Sequence, residues 1–169
     1  MTIVIREAGP KDAKALIRLL EQLDGETQFM LYEPGERQIT KEMQTKRLET
    51  MQASKHSVML LACTDDKDLA GFIVGSGSEL QRIKHSIYIV IGIQQKYTGQ
   101  GIGKRLLENL ENWARGRGVT RLELTVMCHN ETALRLYHSA GFEVEGTKRN
   151  AIKVDGRFID EFYMSKLLE

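Results

Sequence analysis

Cysteine is nearly absent from this chain, with only Cys63 and Cys128. Two cysteines cannot build a disulfide framework and these lack the paired spacing of a zinc site, so they read as free buried thiols in a reducing cytoplasm, with no metal expected. Long apolar runs are missing as well, since nothing approaches the ~18 residues of a membrane span. The opening Met1-Thr2-Ile3-Val4-Ile5-Arg6-Glu7 has no basic segment leading into an apolar core, so neither export nor membrane insertion is expected. An excess of one charge is also lacking: the formal net charge is +1, and Lys46-Arg47 and Arg115-Gly116-Arg117 lie among acids as solvated surface. No nucleic-acid partner follows from such a balance.

What is present describes one ordinary domain spanning residues 1–169, sized to bury roughly 70% of its unfolded surface. A staple-dependent miniprotein is thereby excluded. Proline stands at 2 but glycine at 15, and because glycine supplies backbone geometry rather than bulk, its positions carry the information.

Thr2 to Ala8 alternates as a half-buried strand and stops at Gly9-Pro10. Pro10 or Lys11 opens a helix whose Ala15, Leu16, Leu19, Leu20 and Leu23 recur at helical spacing before Asp24-Gly25. Residues 26–37 read as loop, and Thr40 to Gln52 as a weaker helix using Met43, Leu48 and Met51. Val58–Cys63 and Leu69–Gly75 form an antiparallel pair around Asp65-Asp66-Lys67-Asp68. Ile87–Ile93 is almost unbroken apolar, as in a buried central strand, with Gly92 placed for a bulge or a close ligand approach. Ile102, Leu106, Leu110 and Trp113 make one stripe of a helix ending near Gly116 or Gly118. Leu122, Leu124 and Val126 alternate as a strand, Asn130 caps a helix closed by Gly141, and a final hairpin turns at Asp155-Gly156. The order fits a single α/β domain.

Between the apolar strand and the striped helix, Gly99, Gly101 and Gly103 alternate. Such a loop can aim successive N–H groups at one point where the helix dipole adds positive potential, which suits a phosphate; a merely structural corner is the plain alternative. The Walker A pattern fails, because Thr98 and Arg105 stand where glycine and Ser or Thr are needed. The dinucleotide fingerprint fails too, at Lys104 in one frame and Leu106 in the other.

Thr98-Gly99-Gln100-Gly101-Ile102-Gly103 resembles the pyrophosphate loop of the GCN5-related N-acetyltransferases (GNAT), with Thr98 where Gln or Arg is usual. A second family segment, Asn-x-x-Ala-x-x-Leu-Tyr-x-x-x-Gly-Phe, is matched by Asn130 through Phe142. The resemblance implies an α/β (α+β) single-domain fold: a mixed sheet of about seven strands, splayed at its centre, flanked by about four helices. It also implies a bacterial acetyltransferase using acetyl-CoA, with a homodimer possible along the edge offered by the closing hairpin.

On that resemblance Ile91, Gly92 and Ile93 offer backbone hydrogen bonds to pantetheine and thioester, and can polarise the carbonyl under attack. Thr98, Gly99, Gln100, Gly101, Ile102, Gly103 and Lys104 surround the pyrophosphate, with Lys104 or Arg105 screening its charge or simply decorating the helix. Asn130 and Ala133 lie beside the cofactor, Asn130 also as a helix cap. Tyr137 protonates the departing thiolate, a phenol near 10 suiting a thiol near 8.5; its bland alternative is packing under the sheet.

The base is less plain. The family often carries glutamate where this chain has Tyr88, so His85, Glu79 and Glu33 are the candidates, with His85 first because its ordinary pKa suits reversible proton uptake. Deprotonating a lysine amine at pH 7 costs about 4 to 5 kcal/mol, but an α-amine only about 1 kcal/mol, so without a strong base an α-amine is the easier acceptor. The expected activity is direct acetyl transfer to a primary amine, of a small molecule such as an amino acid or of a peptide N-terminus. A noncatalytic acyl-CoA sensor is the alternative.

Overall fold

The computed structural model describes residues 1–169. Its strands are β1 Val4–Glu7, β2 Val58–Cys63, β3 Leu69–Ser76, β4 Ser86–Ile93, β5 Arg121–Met127, β6 Glu143–Val154 and β7 Arg157–Leu167. The helices are α1 Ala13–Glu26, α2 Lys41–Ala53, α3 Ile102–Arg115 and α4 Glu131–Ser139. All seven strands share one open sheet in the order β1-β2-β3-β4-β5-β7-β6, antiparallel except for the β4–β5 neighbours.

Each face of the sheet has its own core. Ile87 and Ile89 of β4 and Leu122, Leu124 and Val126 of β5 point to the side covered by α3 and α4, where Leu106, Leu110 and Tyr137 join them. On the other side Leu16, Leu19, Leu20 and Leu23 of α1 and Leu48 of α2 pack against Met59, Leu61 and Phe72. The period-2 strands and period-3.6 helices are thus matched face to face, which is why the order of elements can be read from hydrophobic spacing.

Local details differ from the sequence pattern at four places. The first helix runs through Gly25 to Glu26, because Asp24 is not a terminator but a buried carboxylate 2% exposed. In α2 the core face is set by Gln44 and Leu48, one helical turn apart, while Met43 is 57% exposed. No bulge interrupts the β3–β4 ladder at Gly92, whose partner is Phe72. A Cβ at Gly92 would lie 2.8 Å from the Phe72 ring and 2.9 Å from a Leu23 methyl, so glycine there lets α1 seat on the sheet. Cys63 and Cys128 are free thiols, but half-buried rather than sealed, since each stands at the end of its strand or just beyond it.

No helix is long and apolar enough to cross a membrane. The hairpin β6–β7 is bound at its turn by Asp155 and Gly156, both with positive φ, as the Asp-Gly pair requires.

Candidate active site

Strands β4 and β5 are in register over only three rungs, Ser86 with Arg121, Ile87 with Leu122 and Tyr88 with Glu123. Beyond them β4 continues along β3 to the Gly71–Ile93 pair, and β5 continues along β7 to Met127–Glu161. The two strands have therefore parted, and each keeps a partner on its outer edge only. A strand paired on one edge leaves alternate N–H and C=O groups of the other edge without protein partners, so Ile89 to Ile93 line a polar slot in an otherwise apolar sheet. Ile91, Gly92 and Ile93 all lie in this divergent stretch.

The glycine loop sits at the open end of the slot. Gln94 closes β4 by donating from its backbone to the Ala70 carbonyl and from its buried side chain to the Leu69 carbonyl, 2.8 and 2.6 Å. Tyr97 Oη donates to Asp68 at 2.8 Å, and Glu26 accepts from the Gln95 N–H at 2.7 Å, so the approach to the loop is pinned. Gly99 and Gly101 then both adopt φ +77°, which only glycine takes without cost, and a Cβ at either would meet open space. Every backbone N–H from Gly99 through Lys104 is left without an acceptor in the chain; the first bonded amide of α3 is Arg105, to the Gly101 carbonyl. This run of free donors at a helix N-terminus is an anion cradle, and its chemistry fits a pyrophosphate.

Gly103 has a different role from the other two. Its Cβ would stand 2.8 Å from Leu136 and 3.1 Å from Ile93, so the third glycine brings α3 against α4 and the end of β4. Of the two cations, Arg105 is spent elsewhere: it donates to the Ile3 carbonyl at 2.8 Å and ties α3 to the β1 edge. Lys104 is 72% exposed beside Glu108 and remains the one free to face the cradle.

Tyr137, on α4, packs its ring against Phe142 with centroids 5.8 Å apart. The residue is 6% exposed and its hydroxyl has no hydrogen bond in the chain, yet the oxygen is not sealed from solvent; the one sealed, unpartnered side-chain atom is Gln44 Oε1. Burial, and then the phenol of Tyr88, push its pKa well above the ordinary range, so the hydroxyl keeps its proton at neutral pH. Asn130 Oδ1 accepts the Ala133 N–H at 3.3 Å, which makes it the helix cap, and Ala133 packs at the core edge. The Cys128 thiol is raised by burial and by Asp160 and Glu161, the opposite of an activated nucleophile.

Opposite α4, the slot is overlooked by residues 27–40. Arg37 binds the buried Asp24, Gln28 reaches Asp155 at the β6–β7 turn at 2.9 Å, and the Phe29 ring lies 5.0 Å from His129 just beyond β5. This loop spans the open end of β5 and leaves Phe29, Leu31 and Tyr32 partly exposed, a wall that sequence spacing offers no means to place. The base candidates are scattered. His85 is exposed before β4, its carbonyl accepting from Thr120 and Arg121, behind the closed end of the three-rung ladder. Glu79 lies at the surface 4.0 Å from His56, and Glu33 is exposed on the overlooking loop. At the apex itself is Tyr88, its hydroxyl 2.7 Å from Thr125 Oγ1 across the parting strands.

The model of the acetyltransferase (GNAT) family matches residues 17–142. The chain belongs to this family. It is 30% identical over 112 residues to an L-amino acid N-acetyltransferase, AaaT, of Escherichia coli, covering 64% of this chain and 67% of that one. The crystal structure of a GNAT-family acetyltransferase from Streptococcus pneumoniae superposes with a TM-score of 0.95 at 32% identity, over 99% of this chain and 100% of the other. The yncA protein of Salmonella typhimurium, solved with acetyl-CoA, shares the fold at a TM-score of 0.86 and 19% identity, over 100% and 95% of the two chains. The seven-stranded open sheet with four helices is the GNAT fold, and the protein is an acyltransferase. Both segments that pointed to the family, the glycine loop and Asn130 to Phe142, fall within the matched residues.

Proposed function

We propose that this acyltransferase carries the acetyl group of acetyl-CoA to an α-amine, of an amino-acid-like small molecule or of a peptide N-terminus, by direct attack on the thioester. The observation that carries the reading is the unbroken run of free amides from Gly99 to Lys104 at the mouth of the β4–β5 slot. Together they suit a ligand with an anionic pyrophosphate at one end and a hydrogen-bonding, otherwise slender arm at the other.

Acetyl-CoA supplies an acetyl group activated as a thioester. The amides of Gly99, Gln100, Gly101, Ile102, Gly103 and Lys104 take the pyrophosphate, with Thr98 at the loop's entrance. Ile91, Gly92 and Ile93 hold the arm through the backbone groups that β5 no longer pairs, and Asn130 and Ala133 flank it from α4. Tyr137 keeps a proton on a hydroxyl without a protein partner and so has one to give a leaving thiolate, although burial makes it a weaker acid than the free phenol and widens its gap from the thiol. No acyl-cysteine is involved, since Cys128 is held as a thiol. His85 receives no role from the geometry, because the ladder separates it from the slot.

The α-amine is favoured because no free carboxylate stands at the apex, and a peptide α-amine reaches its neutral form near pH 7 for about 1 kcal/mol, less than a lysine amine requires. That AaaT is named for L-amino acids agrees with this choice. A cytoplasmic setting belongs to the same reading, since both cysteines are free thiols and suit a reducing compartment.

The decisive experiment measures acetyl-CoA binding together with free-thiol release across amino acids, peptides, polyamines and aminoglycosides. Acetyl-CoA at one hundred times its dissociation constant should add about 2.7 kcal/mol of stability, visible as a thermal shift. Absence of that shift would defeat the proposal. Binding without thiol release from any amine would instead favour the sensor.

A further inference from the structure

The contact between Tyr88 Oη and Thr125 Oγ1 is the one side-chain hydrogen bond spanning the two strands that part just beyond the Tyr88–Glu123 rung. Tyr88 is 38% exposed and projects, with Val90, to the face away from α3 and α4. Tyr137, on α4, comes from the opposite face. Two phenols thus flank the slot where it opens, one on a helix beneath and one on the strand above.

The groups around Tyr88 are few. Ser76 is its neighbour on β3, Glu123 its neighbour on β5 and Thr125 its hydrogen-bond partner. Glu123 is the sole carboxylate among them, and Arg121 Nε occupies its Oε2 at 2.9 Å. Tyr163, opposite Thr125 on β7, adds only another phenol.

We infer that the Tyr88–Thr125 hydroxyl pair receives and aims the acceptor amine, and that no carboxylate of this chain removes its proton. This rests on the acetyl-transfer reading above. Either hydroxyl can donate in this pair; with Tyr88 donating, its oxygen lone pairs are left for an amine N–H, and Thr125 acts only through Tyr88, as a positioning residue. The amine enters already neutral. Its lone pair forms the N–C bond as C–S breaks, sulfur leaves with the bonding pair and takes a proton from Tyr137, nitrogen sheds one proton to water at the exposed edge of Tyr88, and water returns a proton to the Tyr137 phenolate. The balance is one amine and one thioester in, one amide and one thiol out. Specificity for weakly basic amines follows, because the fraction of acceptor already neutral sets the rate.

The test uses the full chain, thiol release as readout, and L-amino acids beside their methyl esters, whose amines are the weaker bases. For the wild type the rise of kcat/KM with pH should move with the acceptor's own pKa. Tyr88→Phe should lower kcat/KM by about tenfold, mainly through the acceptor KM, with the KM for acetyl-CoA unchanged. Thr125→Val should act in the same direction and less. A pH inflection that stays fixed across acceptors and disappears in Glu123→Gln or His85→Ala would overturn the inference by placing a base on that residue. So would an unchanged kcat/KM in Tyr88→Phe. Loss of acetyl-CoA binding or of all thiol release in the wild type would instead fall on the transfer reading, which keeps the two failures apart.

Discussion

Gly103 and Leu136 meet where α3 crosses α4, so closely that a Cβ on the glycine would lie 2.8 Å from a leucine methyl. The same Cβ would press on Ile93 at 3.1 Å, at the end of β4. Gly103→Ala should therefore shift the start of α3, and with it the free amides, relative to the slot. Acetyl-CoA affinity should fall by about tenfold while the thermal midpoint falls by a few degrees, as for modest overpacking of a core. Gly101→Ala tests a separate cause at the same loop, since its space is open and its penalty is the positive φ, about 1 to 2 kcal/mol. Calorimetric titration of both variants with CoA, alongside thermal melts, separates crowding from backbone strain.

Tyr137→Phe removes the hydroxyl while keeping the ring against Phe142. Turnover should drop by about 100-fold, within the range for loss of a general acid, with CoA affinity nearly unchanged. The native phenol is held protonated by burial while the unfolded one ionises near pH 10. Folding stability from this group is therefore fully present below about pH 10 and declines as pH rises beyond it, because the unfolded chain then releases a proton the native one retains. Urea melts at pH 9 and above should show the wild type losing stability faster than Tyr137→Phe; parallel slopes would remove the assignment of a buried phenol.

Asp24 and Arg37 are the most buried ion pair in the molecule, with side chains 2% and 12% exposed. The guanidinium also lies 4.3 Å from the centre of the Tyr32 ring, so one arginine holds the overlooking loop to α1. Arg37→Met leaves a buried carboxylate unpaired and should destabilise the fold by about 3 to 5 kcal/mol. The double variant Asp24→Leu with Arg37→Met should recover much of that in denaturant melts. Acceptor KM should stay raised in both, because the wall formed by Phe29 and Tyr32 loses its anchor in either case.

Features that depend on neighbours along the chain are legible in the amino-acid sequence. The cap Asn130, the turn at Asp155-Gly156 and the amphipathic stripe from Ile102 to Trp113 are short-range signals, and the fold has each of them. Features made by distant residues are not legible in this way. Gly92 is required by Phe72 and Leu23, Arg105 is claimed by the Ile3 carbonyl, and Tyr88 finds Thr125 thirty-seven residues away. The divergence of β4 from β5 is of the same kind. β4 reads as an apolar run and β5 as an alternating strand, and only their register shows that pairing stops after Tyr88.

Arg121 ties β5 to β6 on the face away from α3 and α4. Its Nε binds Glu123 at 2.9 Å on its own strand, while its two terminal nitrogens reach Glu145 of β6 at 3.0 and 2.6 Å, across the intervening β7. The guanidinium, helped by Ser165, holds the Glu145 carboxyl down to about 2. A depressed carboxylate contributes stability above its unfolded value near 4.3 and loses it as pH falls through the folded one. Between about pH 4.5 and 2 the wild type should therefore weaken progressively, and Glu145→Gln should flatten that part of the curve while starting from lower stability at neutral pH. Because the clamp fixes β6 beside the closed end of the slot, its release should loosen the hairpin before the rest of the sheet. Hydrogen exchange at pH 3 should then show Glu143 to Lys148 opening ahead of β2 and β3; simultaneous opening would mean that the clamp adds nothing to the local order of the hairpin.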